Sequence, residues 1–252
     1  MTELVARGLR VAAGDRVLVH DASFRVGGGE LVALVGSSGS GKTVTARALV
    51  GLLPFSPGRV AGELVLRDDD ATLRPSTEAD FRVVRGAWVG LLWQDARGAL
   101  DPLWTVGRQV EEAARLSGAA EPVAAWLGRA GFADAARVAR LYPHELSGGM
   151  AQRAAIAVAL ARRSRFLVAD EPTTGLDPSV QRGILAGLRG LCESGIGVLF
   201  ITHDLRILPG FADRVLVMDG GRIVEEAAHP AALVGAGRAL VEATRRVAGG
   251  VL

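Results

Sequence analysis

The chain has 252 residues, 29 of them basic and 27 acidic, for a net charge of +2. Only one of the 29 is a lysine, Lys42; the other 28 are arginines, spread along the chain, so no basic patch for nucleic acid is expected. One cysteine, Cys192, excludes an intramolecular disulfide, a multi-cysteine zinc site and an iron–sulfur cluster. With 49% hydrophobic residues the chain can bury a substantial core, and a mean hydropathy of +0.28 hints at a partner surface. The start, Met1-Thr2-Glu3-Leu4, lacks a basic segment followed by an apolar run, so no secretory signal is expected. No uninterrupted apolar stretch reaches the roughly 18 residues of a membrane span.

In chain order, residues 16–20 and 22–26 alternate as two strands and end in the turn Gly27-Gly28-Gly29. Residues 31–35 form a continuous apolar run, the pattern of a strand buried on both faces of a parallel sheet. Gly36, Ser37, Ser38, Gly39, Ser40, Gly41, Lys42 and Thr43 follow directly, then a helical pattern that ends near Pro54. Residues 60–93 read as further strands with polar turns, and Asp68-Asp69-Asp70 reads as a solvated turn. Adjacent strand residues point to opposite faces, which argues against a metal site there. Residues 106–161 read as mostly helical. Strands return at 166–169, 197–201 and 214–218, and Ile184, Leu185, Leu188, Leu191 and Cys192 recur at helical spacing, which makes Cys192 a core residue.

The pattern predicts an α/β fold: a core in two sequence pieces, preceded by antiparallel strands and interrupted by an inserted helical subdomain. The expected division is one domain over 1–252. Residues 1–94 and 165–230 form the catalytic core, 95–164 the helical subdomain and 231–252 a C-terminal helix.

Glycines at 36 and 41 allow the backbone to curl around an anion at the positive end of the next helix. Lys42 can reach the β- and γ-phosphates of a nucleotide, and the Thr43 hydroxyl can ligate Mg²⁺. Asp170 and Glu171 end an apolar strand. Beside the loop, Asp170 would support Mg²⁺ and Glu171 would polarise an attacking water. Ser147, Gly148 and Gly149 open another helix, a second anion-binding N-terminus about 105 residues after the first. One chain has no use for two γ-phosphate sites unless the second serves another subunit.

These stretches closely resemble the ATP-binding cassette ATPases. The resemblance rests on six motifs in order: the loop just described; Gln94 in Leu91-Leu92-Trp93-Gln94-Asp95; Leu146-Ser147-Gly148-Gly149-Met150-Ala151-Gln152; Asp170-Glu171; Gly175-Leu176-Asp177; and His203 in Phe200-Ile201-Thr202-His203-Asp204. It implies a P-loop nucleotide-binding core of the RecA-like type, and ATP and Mg²⁺ as cofactors. It implies catalytic roles for Lys42, Gln94, Glu171 and His203, nucleotide contacts from residues 36–43, Thr45, Ser147, Gly148, Gly149 and Asp177, and metal contacts from Thr43, Gln94 and Asp170. It also implies a head-to-tail dimer with a second cassette, a membrane permease docked near residues 94–104, and a place on the cytoplasmic face of the membrane. One departure stands out. The family usually carries an adenine-stacking aromatic about 29 positions before the loop lysine, and residues 11–15 here read Val-Ala-Ala-Gly-Asp, so some use of GTP is expected.

The surroundings of the motifs resemble the dipeptide, oligopeptide and nickel importer ATPases. The carriers are Tyr142-Pro143-His144-Glu145 before the 146–152 motif, Pro172-Thr173-Thr174 after Glu171, and Trp93-Gln94-Asp95 with Leu100-Asp101-Pro102. Ala96 and Asp101 stand where that branch usually has Pro and Asn. The implied function is the ATP-hydrolysing subunit of an importer of peptides, nickel or a metal chelate, paired with a non-identical paralogue and served by a substrate-binding protein. An exporter ATPase and a non-transport regulatory ATPase are the alternatives. A small GTPase is excluded, because its Asn-Lys-x-Asp motif needs a second lysine.

Overall fold

The computed structural model describes residues 1–54, 56 and 58–249. The strands are β1 (Glu3–Ala13), β2 (Arg16–Gly27), β3 (Leu31–Val35), β4 (Gly58–Arg67), β5 (Thr72–Leu73), β6 (Val89–Leu92), β7 (Phe166–Asp170), β8 (Gly197–Thr202), β9 (Arg214–Asp219) and β10 (Arg222–Ala227). The helices are α1 (Lys42–Leu49), α2 (Glu78–Val83), α3 (Val106–Ser117), α4 (Val123–Arg129), α5 (Ala135–Val138), α6 (Gly148–Ala161), α7 (Pro178–Glu193) and α8 (Gly235–Gly249). Of the expected C-terminal helix, residues 250–252 lie outside the described residues.

All ten strands of the described residues join one sheet in the order β5-β4-β1-β2-β10-β9-β3-β8-β7-β6. The pairs β9–β3, β3–β8, β8–β7 and β7–β6 are parallel, while β1, β2, β4 and β5 pair antiparallel. The fold is therefore an α/β core with a parallel centre and an antiparallel edge.

The parallel strands are buried on both sides, and alternation sends their side chains to two separate cores. Leu31, Ala33, Val35, Leu167, Ala169, Val198 and Phe200 pack with helices α3, α4, α6 and α7. Val32, Leu34, Phe166, Val168, Leu199 and Ile201 pack with α1 and the antiparallel strands. Cys192 lies in the first core, and burial pushes its thiol up to about 12, which leaves it an inert apolar filler.

Three expectations change. Residues 16–27 form one continuous strand, not two, because β2 pairs with β1 along its whole length and irregular register on β1 absorbs the break. Residues 78–83 are helical where strands were expected. Thr77 and Asp80 form a reciprocal cap there: Asp80 N donates to Thr77 Oγ1 at 3.2 Å, and Thr77 N donates to Asp80 Oδ2 at 2.9 Å. That Thr-x-x-Asp spacing is the signal in the sequence that identifies the helix start. In the aspartate run, Asp68 forms the turn by accepting from the amides of Asp70 and Ala71, and it also pairs with Arg165, so it is not purely solvated.

The backbone amides of Ser76 and Thr77 hold the Asp80 carboxyl down at about 2. A depressed carboxylate contributes stability that is present above its ordinary value of 3.8 and lost as pH falls from there toward 2. Thr77→Ala removes the further hydrogen bond from Thr77 Oγ1 to Asp80 Oδ2 at 2.8 Å and keeps both amides, so the Asp80 titration midpoint should rise only part of the way toward 3.8, read by NMR titration of the side-chain carboxyl.

Candidate functional site

Residues 36–41 link β3 to α1 and form a tight loop. Gly36 is required by close approach, since a Cβ there would stand 2.1 Å from the Met218 carbonyl oxygen of β9. The amide of Gly221 donates to Ser40 O at 2.9 Å, which ties the loop to the turn between β9 and β10. Ser37, Ser38 and Gly39 form the exposed crest of the loop, and Ser40 is buried.

Lys42 is buried at the base. Its ammonium donates to Gly36 O at 3.0 Å, Ser37 O at 2.8 Å and Ser40 Oγ at 3.4 Å. Burial holds its pKa below the usual 10.5, and the nearby carboxylates of Glu171 and Asp170 work against that shift. The unpaired amides at the start of α1 add positive potential at the same place. Thr45, expected among the nucleotide contacts, is fully buried, and its hydroxyl donates to Gly41 O at 3.0 Å. Its side chain braces the loop from below.

Alternation along β7 puts Phe166 and Val168 on the α1 side, and Asp170 continues that face. Thr43 Oγ1 donates to Asp170 Oδ1 at 3.2 Å. Asp170 is buried; burial and the neighbouring Glu171 raise its pKa, and the Thr43 hydrogen bond lowers it in part.

Glu171 adopts φ +48°, one of two non-glycine residues with positive φ among the described residues. Such a backbone costs about 1–3 kcal/mol and persists only where the surroundings hold it. Here the Glu171 amide donates to Ile201 O of β8 at 3.0 Å. The side chain is held at both oxygens: Oε1 lies 3.0 Å from His203 Nδ1, and Oε2 accepts from Thr174 Oγ1 at 3.1 Å. His203 directly follows β8, whose Ile201 is the partner of Asp170. Parallel pairing of β7 with β8 therefore brings the carboxylates and the histidine to one sheet end. Sequence reasoning assigned no role to Thr174; its place three residues past Glu171, in a Pro-Thr-Thr turn, was the available signal.

Gln94 stands exposed two residues past Leu92, whose β7 partner is Ala169, so it shares that sheet end. Among the described residues it makes no hydrogen bond to the other candidate residues. Ser147 caps α6, accepting from Met150 N at 3.3 Å. Gly149 is required by packing against α7, since a Cβ would meet Val180 Cγ1 at 2.4 Å. Asp177 precedes α7, where Ser179 Oγ donates to its Oδ1 at 2.8 Å. Ser147, Gly148, Gly149 and Asp177 thus form a second cluster, with no hydrogen bond to Lys42, Thr43, Asp170 or Glu171 among the described residues. Ala13, at the end of β1, sits in the hairpin that leads into β2, where Arg59 donates to Gly14 O at 2.6 Å. A groove of about 700 Å³ lined by Leu205, Leu208, Ala212, His229 and Leu233 lies apart from the loop, and none of residues 36–43 contributes to its wall.

The first cluster combines a buried cation in a backbone cradle, a hydroxyl beside a carboxylate, and a carboxylate beside an imidazole. That set can bind a polyphosphate, present hard oxygen donors to a divalent cation, and accept a proton from water.

The family model for ABC transporters matches residues 19–174. A protein of Brucella abortus, provisionally named as a peptide import ATP-binding protein, is 44% identical over 227 residues, which cover 86% of this chain and 67% of the relative. The oligopeptide transport ATP-binding protein AppD of Bacillus subtilis is 39% identical over 217 residues, covering 83% of this chain and 66% of that protein. The chain thus spans about two thirds of the length of these relatives. Among solved structures, the dimeric post-hydrolysis ATP-binding cassette MJ0796, bound to ADP and Pi, matches with a TM-score of 0.72 at 25% identity, covering 89% of this chain and 98% of that one.

Lys42 is in contact with two backbone carbonyls at 3.0 Å or less, so a planar guanidinium has no room there. Lys42→Arg should weaken binding of a fluorescent ATP analogue at least about tenfold, the scale of one lost charge-assisted contact. Unchanged affinity would show that the ammonium is not the phosphate contact.

Proposed function

The chain belongs to the ABC transporter family of ATP-binding cassettes, and on that footing we propose that it is the ATPase subunit of an importer for peptides, with residues 36–43, Gln94, Asp170, Glu171 and His203 as its hydrolytic site. ATP is its nucleotide, and hydrolysis is coupled to transport. The observation that carries the site reading is the contact of Glu171 with His203 at 3.0 Å, at the sheet end that faces buried Lys42.

In this reading the loop amides and Lys42 hold the β- and γ-phosphates. Water attacks the γ-phosphorus, the bond to the ADP oxygen breaks, and the water proton passes to Glu171. His203 and Thr174 fix the two oxygens of that carboxylate, so it meets the water without reorganising. Thr43 and Asp170 are oxygen donors 3.2 Å apart, which suits Mg²⁺, and Gln94 stands at the same sheet end as a further oxygen donor. When bound, Mg²⁺ would neutralise charge on the phosphates.

The separate cluster of Ser147, Gly148, Gly149 and Asp177 supports a head-to-tail pairing in which it caps the nucleotide of a second cassette, a non-identical paralogue in our reading. Residues 1–94 and 165–230 serve as the catalytic core, and 95–164 as the helical subdomain that carries this cap. No helix among the described residues is long and apolar enough to cross a membrane. Transport therefore calls for permease subunits, with this chain peripheral on the cytoplasmic face and a substrate-binding protein supplying cargo. Peptide is preferred over nickel or a metal chelate because the relatives carry peptide-import names. Those names also favour import over export or a regulatory role.

Glu171→Gln should keep ATP bound and lower hydrolysis about 100-fold or more, the usual worth of a general base. Phosphate release from the purified permease complex reads this, and unchanged turnover would remove Glu171 as the base. The permease should dock on the surface of residues 94–104, within which Leu103 is 81% exposed. Because the native cysteine is buried, Leu103→Cys gives a clean cross-linking probe. Cross-links to the permease are expected there, and their absence together with links elsewhere on the cassette would refute this docking face.

A further inference from the structure

The segment that carries Gln94 is held at both ends by arginines. Before it, the Arg47 guanidinium carbon of α1 lies 4.8 Å from the ring centroid of Trp93. Arg47 sits one helical turn past Thr43, and its Nε is buried without a hydrogen bond, so the stack on Trp93 is a principal contact of that side chain. After Gln94 the chain makes a stiff turn. Asp95 Oδ1 accepts from Gly98 N at 3.0 Å, and Asp95 O accepts from Ala99 N at 3.2 Å. Ala96 and Leu100, both buried, pin this turn to the helical-side core.

Arg97 is an exposed residue of the turn, and its guanidinium donates to the carbonyl of Leu146. Leu146 is buried and directly precedes Ser147, the cap of α6. The contacts therefore run without a gap from the helix that holds Thr43, through Arg47, Trp93 and the Gln94 turn, to Arg97 and the start of α6.

We infer that Arg97 is a positioning residue: it ties the Gln94 segment to the N-terminus of α6, so that nucleotide in this chain's own loop sets the order of the end offered to the second nucleotide. This rests on the reading of residues 36–43 as the ATP site and of Ser147, Gly148 and Gly149 as the cap for a partner. Arg97 touches no nucleotide itself. Its effect is the loss or retention of one carbonyl contact to a charged donor at a hinge between two elements.

Amide hydrogen exchange on the full chain tests it. Glu171→Gln serves as the parent to prevent turnover, and the protein is held at a concentration where light scattering shows a monomer. With ATP and Mg²⁺, amides of residues 36–43 should slow, and those of residues 146–152 should slow with them by about five-fold, the scale of one net hydrogen bond. Adding Arg97→Gln should abolish the slowing at 146–152 and leave that at 36–43. Arg97→Lys, which keeps a cationic donor, should restore it. If residues 36–43 do not respond to ATP, the ATP-site reading falls and the inference with it. If they respond while 146–152 do not, or if Arg97→Gln leaves the response at 146–152 intact, the inference alone is overturned. Unaltered exchange elsewhere in the Arg97→Gln chain shows that it has folded.

Discussion

Burial of β7 on both faces is the constraint on which the site depends. Phe166, Leu167, Val168 and Ala169 alternate between two cores, and neither core tolerates an unpaired charge. The acidic pair can appear only where the strand runs out. There Asp170 keeps the α1 face and meets Thr43, while the backbone turns to positive φ and sends Glu171 toward His203. The parallel partners β3 and β8 end at the same level, so the loop, the acids and the histidine converge at the carboxyl ends of neighbouring strands, the usual place for a ligand in such sheets.

Each charged group at that point has a protein partner. The Lys42 ammonium is satisfied by loop carbonyls, Asp170 by a hydroxyl, and Glu171 by His203 and Thr174. Burial pushes Lys42 and Asp170 in opposite directions, each toward its neutral form. A polyphosphate with a divalent cation would offer both groups a stronger partner than they have alone. The same argument gives the lone lysine its meaning. Arginine serves wherever the charge is solvated, and only position 42 requires a compact ammonium inside a tight loop.

Much of this was legible in the residues because the decisive elements are local. A continuous apolar run, a glycine loop and a helix announce themselves by spacing, and so do strands that end in Asp-Glu or in His. Less legible were features set by pairing between distant segments. The single long β2 depends on β1 opposite it; α2, by contrast, carries a local Thr-x-x-Asp signal, but a short one set among polar turn residues. Thr45 shows the limit from the other side: its place near the loop was foreseeable, but the direction of its hydroxyl depends on the buried packing of α1. Thr174 and Arg97 belong to the same class, since their partners are seen only once the chain is folded.

The central claim is that residue 171 faces the γ-phosphate across from Lys42. A high-resolution structure of Glu171→Gln with ATP and Mg²⁺ bound tests it most directly. The account predicts that the γ-phosphate lies between the Lys42 ammonium and the side chain at 171, with an ordered water between phosphate and residue 171. A γ-phosphate whose nearest acidic neighbour is some other carboxylate, with residue 171 turned away, would contradict it.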